Sequence, residues 1–179
     1  VHRESRAVPC RRTAAQRDSR RARSVAVANS GSAGLLPSGM SPDEIIAALD
    51  LEPHPEGGHF RRTWTGPPGP DGRAIGSAIH YLVAAGERSH WHRIDAHECW
   101  VHNSGAPLAL SVAAPGEAIL RHVLGADLGS GQEPQVVVPA DAWQSAEPMG
   151  EWTLVSCVVT PGFEFDHFEL APPDWSPRT

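Results

Sequence analysis

The sequence contains no lysine, and all fifteen of its basic residues are arginine. These arginines are unevenly distributed along the chain. Residues 1–23 hold eight arginines against two acidic residues, whereas residues 40–179 hold seven arginines against nineteen acidic residues. An acidic surface repels the phosphates of nucleic acids. We therefore expect no nucleic-acid partner for the larger part of the chain.

Long apolar runs and paired cysteines are also missing. No run of about eighteen apolar residues is present, so the sequence predicts no membrane-spanning helix and no membrane partner. The sequence has an odd number of cysteines, and no two of them form a CxxC motif. They are Cys10, Cys99 and Cys157. Disulfides are therefore not expected to organise the fold, which favours a cytoplasmic protein. Cys99 and Cys157 lie in strand-like apolar runs and are interpreted as small buried residues.

Residues 1–39 are rich in arginine, serine and alanine and show no apolar period. We expect a disordered N-terminal extension there, or sequence upstream of a translation start at Met40. The alternative is a transit peptide, which is also rich in arginine and serine and poor in acidic residues. The remainder is predicted to form one domain over residues 40–171 and an extended tail over 172–179.

Turn-forming residues are abundant, with 17 glycines and 17 prolines. One helix is predicted near the start of the domain, because Ser41 and Glu44 form a capping box around Pro42. About nine short strands follow, which indicates an all-β antiparallel sandwich or barrel. The predicted strands are 59–65, 77–84, 88–92, 98–103, 108–113, 119–124, 135–138, 152–160 and 163–170.

Five of the ten histidines lie between positions 80 and 102. Within this stretch, His90 and His92 are two residues apart, and Glu98 follows six residues later. Residues i and i+2 of a strand point to one face, so both imidazoles are expected in one cavity, with Glu98 on the next strand. This donor set suits Zn, Mn, Fe or Ni.

The pattern Gly86-x3-His90-x-His92-x5-Glu98-x6-Gly105 resembles the first signature of the cupin superfamily. Its spacing departs from the usual one, with three residues instead of five after the first glycine. The second cupin signature corresponds to Pro139-Ala-Asp-Ala-Trp-Gln144, where Gln144 replaces the histidine that supplies the fourth ligand. The metal set implied is therefore His90, His92, Glu98 and Gln144. Gln144 either opens the coordination sphere or indicates that no metal is held.

Four longer segments closely resemble the cupin 5 family, also called DUF985, over about Ser41 to Ala171. They begin at Leu51-Glu-Pro-His-Pro-Glu-Gly-Gly-His-Phe-Arg61, at Ala85, at Pro134 and at Glu151-Trp-Thr-Leu-Val. The resemblance implies a single cupin-type antiparallel jelly-roll β-barrel with one short N-terminal helix, a homodimer and a ligand-sized cavity. It implies no settled activity.

Beyond the metal set, two groups of residues are predicted for the cavity. His92, Glu98, His102 and Tyr81 are the candidate catalytic residues, although His102 could equally face solvent. Arg61, Glu56, Trp143 and Gln144 are the candidate ligand-binding residues. Arg61 is expected to bind an anion, and its neighbour Arg62 to form a surface salt bridge.

Three functions fit these residues. The first is a cupin that binds a small polar or anionic metabolite, conceivably derived from a sugar, with acid–base isomerase or epimerase chemistry. The second is a ligand-binding or storage-type cupin without turnover. The third is a metal-dependent oxygenase that uses the open positions of a His/His/Glu site.

Overall fold

A computed structural model describes residues 39–177 of the chain. Residues 1–38 and 178–179 lie outside the described part, and so does nearly all of the predicted N-terminal extension. No helix within 39–177 is both long enough and apolar enough to cross a membrane.

Helix α1 spans Pro42–Leu49 and begins as the capping box predicts. The Ser41 hydroxyl accepts a hydrogen bond from the Glu44 backbone N–H, and the Glu44 carboxylate accepts one from the Ser41 N–H at 2.8 Å. These two bonds satisfy backbone donors that a helix start leaves free. The helix packs Ile45 against Leu82 and Leu154, which anchors it to the outer side of a sheet.

Two antiparallel sheets form the rest of the domain. One has six strands in the order β1-β2-β3-β10-β5-β8, and the other has five in the order β11-β4-β9-β6-β7. The two sheets share no strand within the described residues, so the ladders do not close into one barrel. The strands are β1 (Glu52–Pro53), β2 (His59–Thr65), β3 (Ser77–Ala84), β4 (Ser89–Ile94), β5 (His97–Gly105), β6 (Leu108–Ala113), β7 (Leu120–Leu124), β8 (Gln135–Val138), β9 (Trp143–Pro148), β10 (Trp152–Thr160) and β11 (Phe168–Leu170).

The main core lies between the sheets, since its buried side chains come from both. Tyr81, Trp100 and Val155 of the six-stranded sheet join Leu108 and Leu110 of the five-stranded sheet in one cluster. Burial of apolar surface of this kind supplies most of the favourable free energy of folding.

Three strands differ from the sequence prediction, and the first of them is the two-residue strand β1, which was not predicted. Strand β9 was not predicted, because Gln144, Ser145 and Glu147 break the apolar alternation that marks a strand. The predicted strand at 163–170 is shorter than expected. A 3-10 turn occupies Phe165–His167, and only Phe168–Leu170 pairs with β4.

Candidate functional site

A cavity opens between the two sheets at one end of the core. Its accessible volume is small, about 30 Å³. Most of the lining is apolar, and its side chains Glu56, His92 and Glu98 are buried, an arrangement typical of a ligand cavity. The lining side chains are His54, Glu56, Phe60, Arg62, Ser77, Ile79, Tyr81, His92, Ile94, Glu98, Cys157, Val159 and Phe163.

A tight turn after β1 directs Glu56 into the cavity. The turn closes through a hydrogen bond from the Gly57 N–H to the His54 carbonyl, and Gly57 and Gly58 have φ angles of 109° and 65°. Few residues other than glycine adopt such angles, which explains the glycine pair. The Tyr81 hydroxyl donates to the Gly57 carbonyl at 2.7 Å and ties the turn to β3.

The Glu56 carboxyl lies between two imidazoles. Its Oε2 is 3.3 Å from Nε2 of His92 and 3.4 Å from Nδ1 of His54. Nδ1 of His92 lies 2.8 Å from the His90 carbonyl, which can only accept, so Nδ1 must carry a proton. In a neutral His92, Nε2 then carries no proton, and its lone pair faces Glu56.

The second imidazole presents a lone pair as well, because Nδ1 of His54 accepts from the Glu56 backbone N–H at 3.4 Å. Oε2 of Glu56 therefore meets two nitrogen acceptors and has no donor between them. One added proton resolves this arrangement, and the carboxyl is its natural site. Ser89 completes the cluster by donating to the other Glu56 oxygen at 2.8 Å.

Electrostatics agree with this assignment of the proton. Burial raises the pKa of Glu56, although the nearby His54 opposes the shift. Burial lowers the pKa of His92, although the charge of Glu98 opposes this shift. Burial also lowers the pKa of His54, and there the charge of Glu56 opposes it. Desolvation thus favours the uncharged form of each group. The three shifts together favour a carboxylic acid beside neutral imidazoles.

Glu98 is held by a separate relay of hydrogen bonds. The Trp100 indole N–H donates to Oε1 of Gln144 at 2.9 Å, and Nε2 of Gln144 donates to Oε2 of Glu98 at 2.6 Å. An indole N–H can only donate, so it fixes which end of the amide faces Glu98. Burial raises the pKa of Glu98, with His92 opposing the shift. Any proton on Glu98 therefore belongs on Oε1.

His90 does not enter the cavity, because a bulge interrupts the pairing of β4 with β9. Between Ser89 and His92, β4 has one residue more than its partner strand, so both of these residues face inward. His90 turns outward and its Nε2 lies 2.9 Å from the Pro172 carbonyl. The expected two-residue alternation fails at this point.

The four predicted metal ligands accordingly do not converge. Only His92 and Glu98 face the cavity, while the amide oxygen of Gln144 is bonded to Trp100. Across residues 39–177, no group of three or more His, Cys, Asp or Glu side chains could hold a metal ion. The predicted ligand set does not fit a metal, and no chemical step is derived through one.

Comparison with protein-family models gives one match, described as Cupin superfamily (DUF985), over residues 43–171. This stretch is most of the chain. The chain belongs to the DUF985 family of cupins. No curated protein matches it significantly.

Solved structures agree with the family assignment. A protein from Shewanella oneidensis is 36% identical, with a TM-score of 0.71, and the match covers 74% of this chain and 85% of that one. A protein from Leishmania major, described as hypothetical, is 28% identical with a TM-score of 0.67, over 73% of this chain and 86% of that one. An oxalate decarboxylase of Bacillus subtilis shares the fold alone, at 13% identity and a TM-score of 0.54, over 68% of this chain and 30% of that one.

In this cupin the two neighbouring arginines of β2 lie on opposite faces. Arg62 lines the cavity, whereas Arg61 turns outward, donates to the Leu49 carbonyl and lies 3.7 Å from Asp50. The pairing with β3 explains this, because Arg62 pairs with Ile79, which also lines the cavity. The expectation for Arg61 and Arg62 is therefore reversed.

The remaining predicted residues divide between the cavity and its surroundings. Tyr81 lines the cavity, but its hydroxyl is engaged by the Gly57 carbonyl. His102 does not line it, and its Nε2 lies 3.2 Å from the Ala106 carbonyl. Trp143 also lies away from it, packed against Trp175 with ring centres 4.3 Å apart.

The cavity residues that sequence reasoning missed include His54 and Cys157, in addition to Arg62. His54 lies in the quoted family segment, and its position before the glycine pair was the available signal. Cys157 was interpreted only as a small buried residue, and it is buried. Burial raises the pKa of its thiol well above the usual value, and Glu98 adds to the shift.

Proposed function

We propose that this cupin binds a small polar or anionic metabolite in its cavity and performs acid–base chemistry on it, as an isomerase or epimerase does. The observation that carries the proposal is the 3.3 Å contact between the buried Glu56 carboxyl and Nε2 of the buried His92, whose Nδ1 donates to the His90 carbonyl. A carboxylic acid can donate a proton and a neutral imidazole can accept one. Burial shifts the pKa of Glu56 upward and that of His92 downward, which supports these two forms, and general acid–base catalysis requires them.

The proposed step moves protons only. Nε2 of His92 takes a proton from the carbon beside a carbonyl group, and the electron pair of the broken C–H bond forms a carbon–carbon double bond. The carbonyl oxygen receives the proton of Glu56, which yields an enol. The His92 imidazolium then returns its proton to the neighbouring carbon, and the Glu56 carboxylate takes back the hydroxyl proton that is released as the new carbonyl group forms, so both groups end in their starting states. No electrons are gained or lost.

Glu98 supplies a second carboxyl at the same buried end. Because Gln144 donates to Oε2 of Glu98, Oε1 is the oxygen available to a ligand or a proton. An arrangement with acids on both sides of one base suits a reaction that returns the proton at a different position.

The test is binding and solvent exchange with a defined panel. The panel contains D-xylose, D-fructose and dihydroxyacetone as neutral compounds, lactate, pyruvate and glycerate as carboxylates, and glycerol 3-phosphate as a phosphate ester. Ligand-observed NMR measures binding, and deuterium incorporation from D2O measures C–H bond breaking. The variants are His92→Gln and Glu98→Gln, with His97→Gln as control because His97 is exposed.

We expect at least one panel member to bind and exchange with the wild-type and His97→Gln proteins. Exchange should fall by at least about a hundredfold in His92→Gln, which is the usual contribution of one general base. Binding without exchange would contradict the catalytic half of the proposal and favour the ligand-binding alternative. Equal behaviour of His92→Gln and wild type, or no binding at all, would contradict the whole.

A further inference from the structure

Arg62 lies at the exposed end of the cavity without an acidic partner. Within residues 39–177, no carboxylate oxygen lies within 4 Å of its guanidinium. Its Nη1 and Nη2 share one acceptor, the Phe163 carbonyl, each at 3.4 Å. The guanidinium also stands 5.8 Å from the centre of the Phe163 ring. An arginine has five N–H donors, so most of those of Arg62 remain available to a ligand.

Other arginines of the domain are used differently. Four of them lie within 4 Å of a carboxylate, as expected in a domain with an excess of acidic residues. Within residues 39–177, Arg62 and Arg121 have no carboxylate within 4 Å, and of these two Arg62 is the one that lines the cavity. The paired arginines are Arg61 with Asp50, Arg73 with Asp95, Arg88 with Glu147 and Arg93 with Glu169.

The lining changes in character from the opening to the base. Arg62 is exposed, and Glu56 and His92 are buried. Between these ends the wall is apolar and includes Phe60 and Ile79. A ligand that matches this sequence of surfaces has a charged head, a short apolar body and an uncharged polar group at its far end.

We propose that the ligand is a short carboxylate anion that carries a hydroxyl or carbonyl group, with its carboxylate bound by Arg62. This inference rests on the function proposed above and names its substrate class. The planar guanidinium matches the two oxygens of a carboxylate in a bidentate pair. The hydroxyl or carbonyl group then reaches Glu56 and His92 at the base.

The number of cationic groups favours a carboxylate over a phosphate ester. Arg62 is the only arginine among the lining residues, and the sequence has no lysine. At the base, burial favours the uncharged forms of Glu56, His54 and His92, and Glu98 brings no positive charge, so Arg62 is the cationic group that the lining offers in that state. A single guanidinium balances one negative charge, and a phosphate monoester carries nearly two.

The experiment compares acids with their amides, because the two differ in charge and little in shape. Glycolate is paired with glycolamide, lactate with lactamide and pyruvate with pyruvamide, and glycerol 3-phosphate is the phosphate arm. Calorimetry measures affinity for the full chain as wild type, Arg62→Gln, Arg62→Lys and the matched control Arg61→Gln. Arg61 is the adjacent residue on the opposite face.

We expect the wild type to prefer at least one acid over its amide by about tenfold, the size of one charge-assisted pair. Arg62→Gln should abolish this preference, Arg62→Lys should retain part of it, and Arg61→Gln should leave it intact. The inference would be overturned if the wild type bound acids and amides with equal affinity. It would also be overturned if Arg62→Gln and Arg61→Gln had equal effects, or if glycerol 3-phosphate bound more tightly than every acid in the panel. In these cases the proposed function still stands if neutral compounds bind, whereas it falls together with the inference if nothing in either panel binds.

Discussion

The chemistry of the cavity depends on the position of a single proton. Oε2 of Glu56 faces Nε2 of His92 at 3.3 Å and Nδ1 of His54 at 3.4 Å, and both nitrogens are acceptors in their neutral forms. A proton on Oε2 of Glu56 turns its contact with Nε2 of His92 from repulsive to attractive. Burial raises the pKa of Glu56 and supports the same state. The carboxyl is therefore expected to act as an acid and not as a fixed negative charge.

Glu56→Gln tests this protonation directly through stability. An amide provides a permanent N–H donor where the carboxyl proton is expected, so the variant should fold as well as the wild type at low pH. Because the pKa of Glu56 is raised in the folded state, the native protein binds more protons than the unfolded chain, and its stability falls as pH rises through that pKa. In urea denaturation from pH 5 to 9, the unfolding free energy of Glu56→Gln should rise relative to that of the wild type as pH increases.

The control for the loss of an acidic side chain is Glu117→Gln, since Glu117 is exposed. A constant deficit for Glu56→Gln at every pH would mean that the ionised carboxylate stabilises the fold. That result would contradict the assignment of the proton.

The sequence pointed to His92 and Glu98 because their spacing matched a known signature, and both lie in the cavity. It could not distinguish Arg61 from Arg62, because alternation along a strand shows which residues share a face but not which face is inward. His90 was misplaced for a different reason. The bulge in β4 depends on the pairing with β9, a strand that the local sequence does not reveal.

Between strands, the turn from His54 to Gly58 determines the position of Glu56. An added Cβ at Gly57 would collide with the Arg88 carbonyl oxygen, and at Gly58 it would lie 2.6 Å from the Leu82 carbonyl oxygen. The glycine pair therefore serves close packing as well as positive φ.

Gly57→Ala is expected to move this turn and to weaken the site. The matched control is Gly86→Ala, because Gly86 has a similar φ of 85° but open space where the Cβ would lie. The control should lose about 1 kcal/mol of unfolding free energy from backbone strain alone. Gly57→Ala should lose clearly more, and it should also lose the ligand binding that Gly86→Ala retains. Chemical denaturation and calorimetry would measure the two effects, and equal losses would show that the turn does not depend on close packing.

For the whole molecule, every described core cluster and the complete cavity lining come from residues between Met40 and Ala171. The strand-rich class could be predicted from turn spacing, because nearly every interval between turn residues contains a strand. The arrangement of strands in two sheets could not, since it depends on pairings between distant segments such as β3 with β10.

A protein that begins at Met40 should therefore fold with the same melting temperature as the full chain. Differential scanning calorimetry of both proteins would measure this. A fall of more than a few degrees in the shorter protein would show that residues 1–39 contribute to the folded domain. The homodimer implied by the family resemblance stays a prediction, and sedimentation of both proteins would give their masses.

The central claim is that His92 presents an unprotonated Nε2 to an uncharged Glu56. NMR of protein labelled with 15N in its histidines measures this most directly, with His92→Gln used to assign the signals. The account predicts that at pH 7 His92 is neutral, with the proton on Nδ1 and the nitrogen shift of Nε2 typical of a bare acceptor. An imidazolium, or a neutral ring protonated at Nε2, would contradict the account.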